Sequence, residues 1–383
     1  MRCVRSPESL PDRRMFRLGF RAFFLVAGAL AVVLVPLWLA AFFGGVTLPT
    51  RFYGPTWHGH EMVFGFAVAV IAGFLLTAVR NWTGLPTASG VRLGALVALF
   101  VLGRVCVLFS AWLPWGVVVA VDLAFLPVLA IEIAIPVMRK RNWRNLVFAA
   151  LLTALFVTNT VFYVLPIRAA LMVRLAIDII VVMMVVIGGR VIPSFTESAV
   201  DIKVRRYVWL ERASVLAVVA VALTEVVAPR VCAVFALIAG ASNALRLVGW
   251  RSLATRNRPI LWVLHAGYAW LVVGLFLKGL LPESTAAMHA LAVGAIGTLI
   301  LAMTTRVSLG HTGRALVVPR PIVVAYGAIL AAAVLRAVGP LIAPSLNRSF
   351  ILLSGFAWTL AFALFMSAYA PILVAPRIDG RPG

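Results

Sequence analysis

Residues 57–79 read WHGHEMVFGFAVAVIAGFLLTAV: two histidines and a glutamate, then an apolar run with no charge in it. At 1.5 Å per residue a run of about 20 residues crosses a hydrocarbon core of about 30 Å. Comparable runs recur along the 383-residue chain, which is 63% hydrophobic and only 12% charged, with a mean hydropathy of +1.07. Twelve are read, over 22–43, 58–79, 92–112, 115–137, 144–164, 168–188, 208–228, 231–249, 260–280, 286–305, 321–339 and 350–373. An open strand edge cannot be satisfied in lipid, so each must be a helix. The expected fold is an all-α polytopic membrane protein of twelve transmembrane helices, a single domain over 1–383, with a cytoplasmic N-terminal tail (1–20) and a C-terminal tail (374–383).

The net charge of +22 invites a nucleic-acid reading, but the cations sort by membrane side. The N-terminal tail holds Arg2, Arg5, Arg13, Arg14, Arg17 and Arg21, and the even-numbered connections are basic, with RKRNWR (139–144) in the fourth. The alternate connections carry one or two cations each. Twelve crossings with both termini cytoplasmic satisfy this pattern at every loop, with the lipid bilayer, and no nucleic acid, as the chain's partner. The basic start followed by an apolar run has the look of a signal peptide, but the run is long and opens a regular series, so it reads as an uncleaved first helix.

Cys3, Cys106 and Cys232 are scattered, with no C-x-x-C or C-x-x-C-H. That spacing excludes covalent c-type haem and iron–sulfur clusters held by this chain. No phosphate-cradling glycine loop is present, so an ATP-driven pump is not indicated. A weak repeat runs through the second, sixth and tenth spans, which end in TAVRNWTG (77–84), IGGRVIPSFT (187–196) and MTTRVSLGHTG (303–313), bringing Arg80, Arg190 and Arg306 four helices apart. His60 precedes Gly65, and His289 precedes Gly294, by the same interval. The pattern points to three groups of four helices.

Ionisable groups inside spans are expensive unless paired or facing a cavity. Arg174 and Asp178, spaced i, i+4, read as an intrahelical ion pair, and Arg104 and Asp122 as a pair between the third and fourth spans. Glu132 and Glu225 read as solvated near helix ends, and Lys278 as snorkelling outward. The histidines fall at two depths: an outer set of His58, His60, Glu61 and His289, and an inner set of His265 and His311 with Tyr268. On a 100° wheel His58 shares a face with Glu61 and Met62, while His60 points away. Imidazole is a common ligand of haem iron and copper, its second nitrogen oriented by an acceptor such as Glu61. An interhelical hydrogen bond is the alternative for each histidine.

At these residues the chain resembles the NnrS family of bacterial membrane proteins. The resemblance rests on GFRAFF (19–24), WHGHEMVFGFAVAVIAGFLLTAVRNWTG (57–84), IGGRVIPSFT, HAGYAW (265–270) and MHALAVGAIGTLILAMTTRVSLGHTG (288–313). Ala22 and Arg80 stand where the family pattern has proline, and Ser194 where it has phenylalanine. The resemblance implies a twelve-helix inner-membrane protein carrying haem b, with copper as a second metal, tied to denitrification and to protection against nitric oxide and nitrosative stress.

A more distant likeness is to the catalytic subunit of haem-copper oxidases and nitric oxide reductases, also twelve helices in three arcs of four. Here His58, Gly59, Met62 and Phe64, then Asn81, Trp82 and Pro86, are similar to its second helix, and His289 to the axial ligand of its tenth. It implies a bis-histidine haem b held by His58 and His289. No histidine lies in the sixth or seventh span, and Ala287 stands where the tenth helix would carry a second one, so that superfamily's binuclear centre is either lost or rebuilt elsewhere, with His60, His265 and His311 as the remaining ligand supply. On this reading the cofactor set is His58, His289, His60, Arg190 and Arg306, and the metal candidates are His58, His60, Glu61, His265, His289 and His311. The expected function is nitric oxide binding, turnover or detoxification by a haem-dependent oxidoreductase fed by an unidentified electron donor. A twelve-helix transporter, or a permease handling metal or haem, is the alternative.

Overall fold

A backbone in hydrocarbon must satisfy its own N–H and C=O groups, and every apolar run of this chain meets that demand as helix. The computed structural model describes residues 15–282 and 284–380; Arg2, Arg5, Arg13, Arg14, Cys3 and most of the expected N-terminal tail lie outside them. Eleven helical units are long and apolar enough to cross a bilayer. In chain order with the intervening seventh, they are α1 (Gly19–Phe42), α2 (Gly54–Thr83), α3 (Val91–Leu108), α4 (Trp115–Arg139), α5 (Trp143–Val164), α6 (Pro166–Val200), α7 (Val208–Thr224), α8 (Pro229–Gly249), α9 (Pro259–Leu280), α10 (Thr285–His311), α11 (Arg320–Ile342) and α12 (Pro344–Val374). The 17 residues of α7 sit at the lower limit of what spans a hydrocarbon core. No strand occurs among the described residues.

Most ends fall within a few residues of expectation. The sixth span does not: α6 continues through Pro193 to Val200, so the connection expected between the spans 168–188 and 208–228 contracts to 201–207. Its glycines, arginine and proline look like a loop in sequence. In the fold, Gly188, Gly189, Ile192, Pro193 and Thr196 all face inward, and Thr196 Oγ1 donates back to the Ile192 carbonyl at 2.9 Å. Asp201, at φ 50°, ends it.

Most helices that follow each other in sequence pack side by side, though not α2 and α3, and α12 closes the ring against α1. Arg21 Nη1 donates to the Leu373 and Ala375 carbonyls at 2.7 Å each, and Trp358 Nε1 to the Ala31 carbonyl at 3.1 Å. Three helices lie inside. The apolar windows of α2, α6 and α10 are 78%, 67% and 72% buried, against 33 to 44% for the other scored spans except α9. The inner helices come every fourth in the chain, which gives three arcs of four.

Close approach to α6 depends on Gly189. A Cβ there would overlap the guanidinium of Arg246, a fully buried arginine that donates to Glu211 Oε1 at 3.1 Å and to Tyr268 Oη at 2.7 Å. Gly189→Ala is therefore expected to displace a buried charge from its partners and destabilise the protein by about 3 kcal/mol. Gly327→Ala on α11, where an added Cβ meets nothing, is the control. Thermal denaturation of the two detergent-purified variants checks this.

Candidate functional site

Three stretches of the inner and neighbouring helices are π-helical: Glu61–Ala67 in α2, Ala290–Gly297 in α10 and Val334–Val338 in α11. Such widened turns are uncommon and concentrate at functional sites. The first begins immediately after His60 and the second immediately after His289, so the repeat read from the His60–Gly65 and His289–Gly294 spacings extends to backbone geometry. Both glycines make room for a side chain from a neighbouring helix: Arg104 lies against Gly65 and Trp270 against Gly294.

His58 and His289 flank one place. His58 stacks on Trp38, with ring centroids 4.9 Å apart at 12°, and its Nδ1 is buried without a hydrogen-bond partner. His289 donates from Nδ1 to the Thr285 carbonyl at 2.7 Å, the bond to its own preceding turn. That bond fixes the tautomer and leaves Nε2 with its lone pair. The two imidazoles are close enough for the charge of one to act on the other, and Arg336 from the third π segment acts on both. Arg336 makes no hydrogen bond or ion pair among the described residues, and it is a member of the site that sequence reading passed over. Its signal was an arginine inside the outward-running eleventh span with no acidic residue within helical reach.

His60 belongs to a different arrangement. Its Nδ1 lies 3.0 Å from Glu61 Oε1 and its Nε2 3.0 Å from Asn159 Oδ1, while Asn159 Nδ2 donates to Asp122 Oδ2 at 2.9 Å and so orients the amide. Both ring nitrogens are therefore engaged by buried polar side chains. Arg104 donates to Glu61 Oε1 at 2.7 Å and is ion-paired with Asp122, and Tyr163 donates to Asp122 Oδ2 at 2.9 Å. One arginine, one histidine and two carboxylates, drawn from α2, α3 and α4 and tied to α5 through Asn159 and Tyr163, thus form one buried set. The Arg104–Asp122 pair expected from sequence is present inside it. Glu61 turns toward His60 rather than toward His58.

On the same side of the bundle, the expected Arg174–Asp178 pair is replaced by a larger cluster. Lys278 Nζ donates to both Asp178 oxygens, at 3.0 and 2.9 Å, and is ion-paired with Glu225, which also accepts from Arg174 Nε at 3.0 Å. Lys278, 11% exposed at its side chain, does not snorkel, and Glu225 is buried, not solvated. Spacing along one helix could not reveal this, since the partners come from α6, α7 and α9. Glu132 pairs with the exposed Arg92 of α3.

The inner histidines stay apart. His265 donates from Nε2 to Thr196 Oγ1 at 2.9 Å, because the Thr196 proton is already given to Ile192, and its Nδ1 accepts from Ser252 Oγ at 2.9 Å. Tyr268 joins Arg246 and Asn243. His311 lies against Phe20, ring centroids 5.5 Å apart. Arg190 donates to Asn145 at 2.7 Å, and Arg306 lies 3.8 Å over the Phe195 ring. Seventeen residues beyond His289 on α10, Arg306 is roughly 25 Å from it, so neither arginine joins the histidine pair. Among the described residues, no three His, Cys, Asp or Glu side chains gather as a metal site. At mid-depth, an apolar cavity of about 90 Å³ lies between α1, α2, α6, α9 and α10, lined by Val70, Ile180, Met183, Leu264 and Leu299 among others.

A family model described as NnrS protein matches residues 14–377, nearly the whole chain. Among curated proteins none matches.

Proposed function

The chain belongs to the NnrS family, and from that membership together with the outer histidine pair we propose that it is an inner-membrane haem b protein of the nitric oxide response. The carrying observation is the bond from His289 Nδ1 to the Thr285 carbonyl, 2.7 Å. It presents Nε2 as a ligand while the His58 ring, held flat against Trp38, stands within electrostatic reach. The donor set fits a haem b: two neutral imidazoles, one with its tautomer fixed, and an uncompensated arginine beside them for an anionic substituent. His58 and His289 would hold the iron, and Arg336 would face the propionates.

When bound, a haem supplies an iron that takes nitric oxide at an open position or passes single electrons when both axial positions are filled. The chain's own residues orient the imidazoles, keep Arg336 charged beside them, and exclude water through Trp38 and the packed π segments. Copper, the second metal of the family resemblance, would draw on His58, His289 or His311, since His60 and His265 have both ring nitrogens engaged. The basic ends of the helices are read as cytoplasmic. A carrier of polar solutes is disfavoured by the lining of the mid-depth cavity, which suits a small uncharged molecule instead.

The test is the optical spectrum of the full-length, detergent-purified protein, reduced with dithionite and then titrated with nitric oxide. Haem b bands that shift on addition of the gas are expected. A folded preparation without haem or copper overturns the reading.

A further inference from the structure

The largest cavity described, about 970 Å³, lies at the basic face, away from the histidine pair, between the start of α1, the end of α2, the start of α3 and the segment after α12. Its lining divides in two. One end carries Arg17, Arg80, His311 and Arg377; the other is Val91, Gly94, Ala95 and Ala98 of α3, which at i, i+3, i+4 and i+7 form one smooth face of that helix. Ala95 and Ala98 are exposed, so the groove opens sideways where lipid chains lie.

The charge there is uncompensated. Arg377 spends Nε and Nη2 on Asp379 and donates from Nη1 to the His311 carbonyl at 3.0 Å. Arg17 and Arg80 have no hydrogen-bond or ion-pair partner among the described residues. Arg17, Arg314 and Arg377 all lie within electrostatic reach of Arg21, and Arg314 Nη1 is buried without a partner. A cationic mouth continuous with an apolar channel matches a headgroup phosphate with an acyl chain behind it. Basic pockets between membrane helices on the cytoplasmic side bind such lipids.

We propose that this cavity is a binding site for an anionic phospholipid, its phosphate held by Arg17 and Arg80 and one acyl chain lying along Gly94, Ala95 and Ala98. The site is independent of haem and of the nitric oxide reading. Two surface cations contribute roughly a thirtyfold preference for an anionic headgroup.

Native mass spectrometry of the full-length protein in neutral detergent tests it, with dioleoylphosphatidylglycerol, dioleoylphosphatidylcholine and inorganic phosphate as probes. The wild type is expected to hold phosphatidylglycerol at least about tenfold more tightly than phosphatidylcholine, and the Arg17→Gln/Arg80→Gln double variant to hold the two alike. Gly94→Leu, whose Cβ meets only the edge of Phe16 at 3.9 Å, leaves the guanidiniums intact but fills the channel, so it is expected to lower phosphatidylglycerol affinity. Equal affinity for the two lipids in the wild type overturns the proposal. So does displacement of phosphatidylglycerol by equimolar inorganic phosphate with Gly94→Leu unaffected, which marks a site for the free anion.

Discussion

Alanine at His58 or at His289 is expected to strip haem from the purified protein, while alanine at His265 leaves it in place. His289 presents a lone pair because Thr285 holds its other nitrogen, whereas His265 is bonded to Thr196 and Ser252 through both nitrogens and has none to offer. Loss of groups that only orient a metal ligand already costs 10- to 100-fold in affinity. Removing the ligand itself should lower retained haem by at least about tenfold. The measurements are haem per mole of folded protein and the split reduced band of six-coordinate haem b, lost in both outer variants and kept in His265→Ala. Free imidazole in the buffer should restore part of the spectrum to His289→Ala, an effect a misfolded variant would not show. Wild-type haem content in both His58→Ala and His289→Ala would sink the assignment.

The second large effect concerns stability, not cofactor. Arg104→Met removes the guanidinium that pairs with both carboxylates of the buried set of His60, Glu61, Arg104 and Asp122, stranding them in low dielectric. Breaking a buried pair in this way costs roughly 3–5 kcal/mol, much of it the penalty of the partner left behind. Adding Glu61→Gln to Arg104→Met restores charge balance and is expected to recover part of the loss. Thermal unfolding of the single and double variants reads both effects. An Arg104→Met protein as stable as wild type would show that the four groups are not held as two ion pairs.

Much of the fold was legible because lipid leaves a chain few options. The twelve crossings followed from run length, and the inner position of α2, α6 and α10 was foreshadowed by the phrases ending in Arg80, Arg190 and Arg306. The site was legible only in part. His58 and His289 stood out as polar residues at the mouths of apolar helices. Arg336 did not, because near a helix end a cation reads as a snorkelling residue. The partners of Asp178 and Glu225 were hidden for a different reason: Lys278 is about 100 residues from Asp178 in sequence, and only packing brings α6, α7 and α9 together. The allegiance of Glu61 was hidden because a helical wheel places Cα directions, and the hydrogen bond to the neighbouring His60 is made by side-chain torsions it does not see.

The bonds that fasten the last span to the first also set an order of events in biosynthesis. The carbonyls that take the Arg21 guanidinium belong to Leu373 and Ala375, about 350 residues further along the chain, so the first helix waits in the bilayer while the spans between are made and before its closing partner arrives. Until then the ring is an open arc, with a lateral gap facing the membrane beside α1. A chain truncated before α12 would hold both candidate ligands without a closed wall around them.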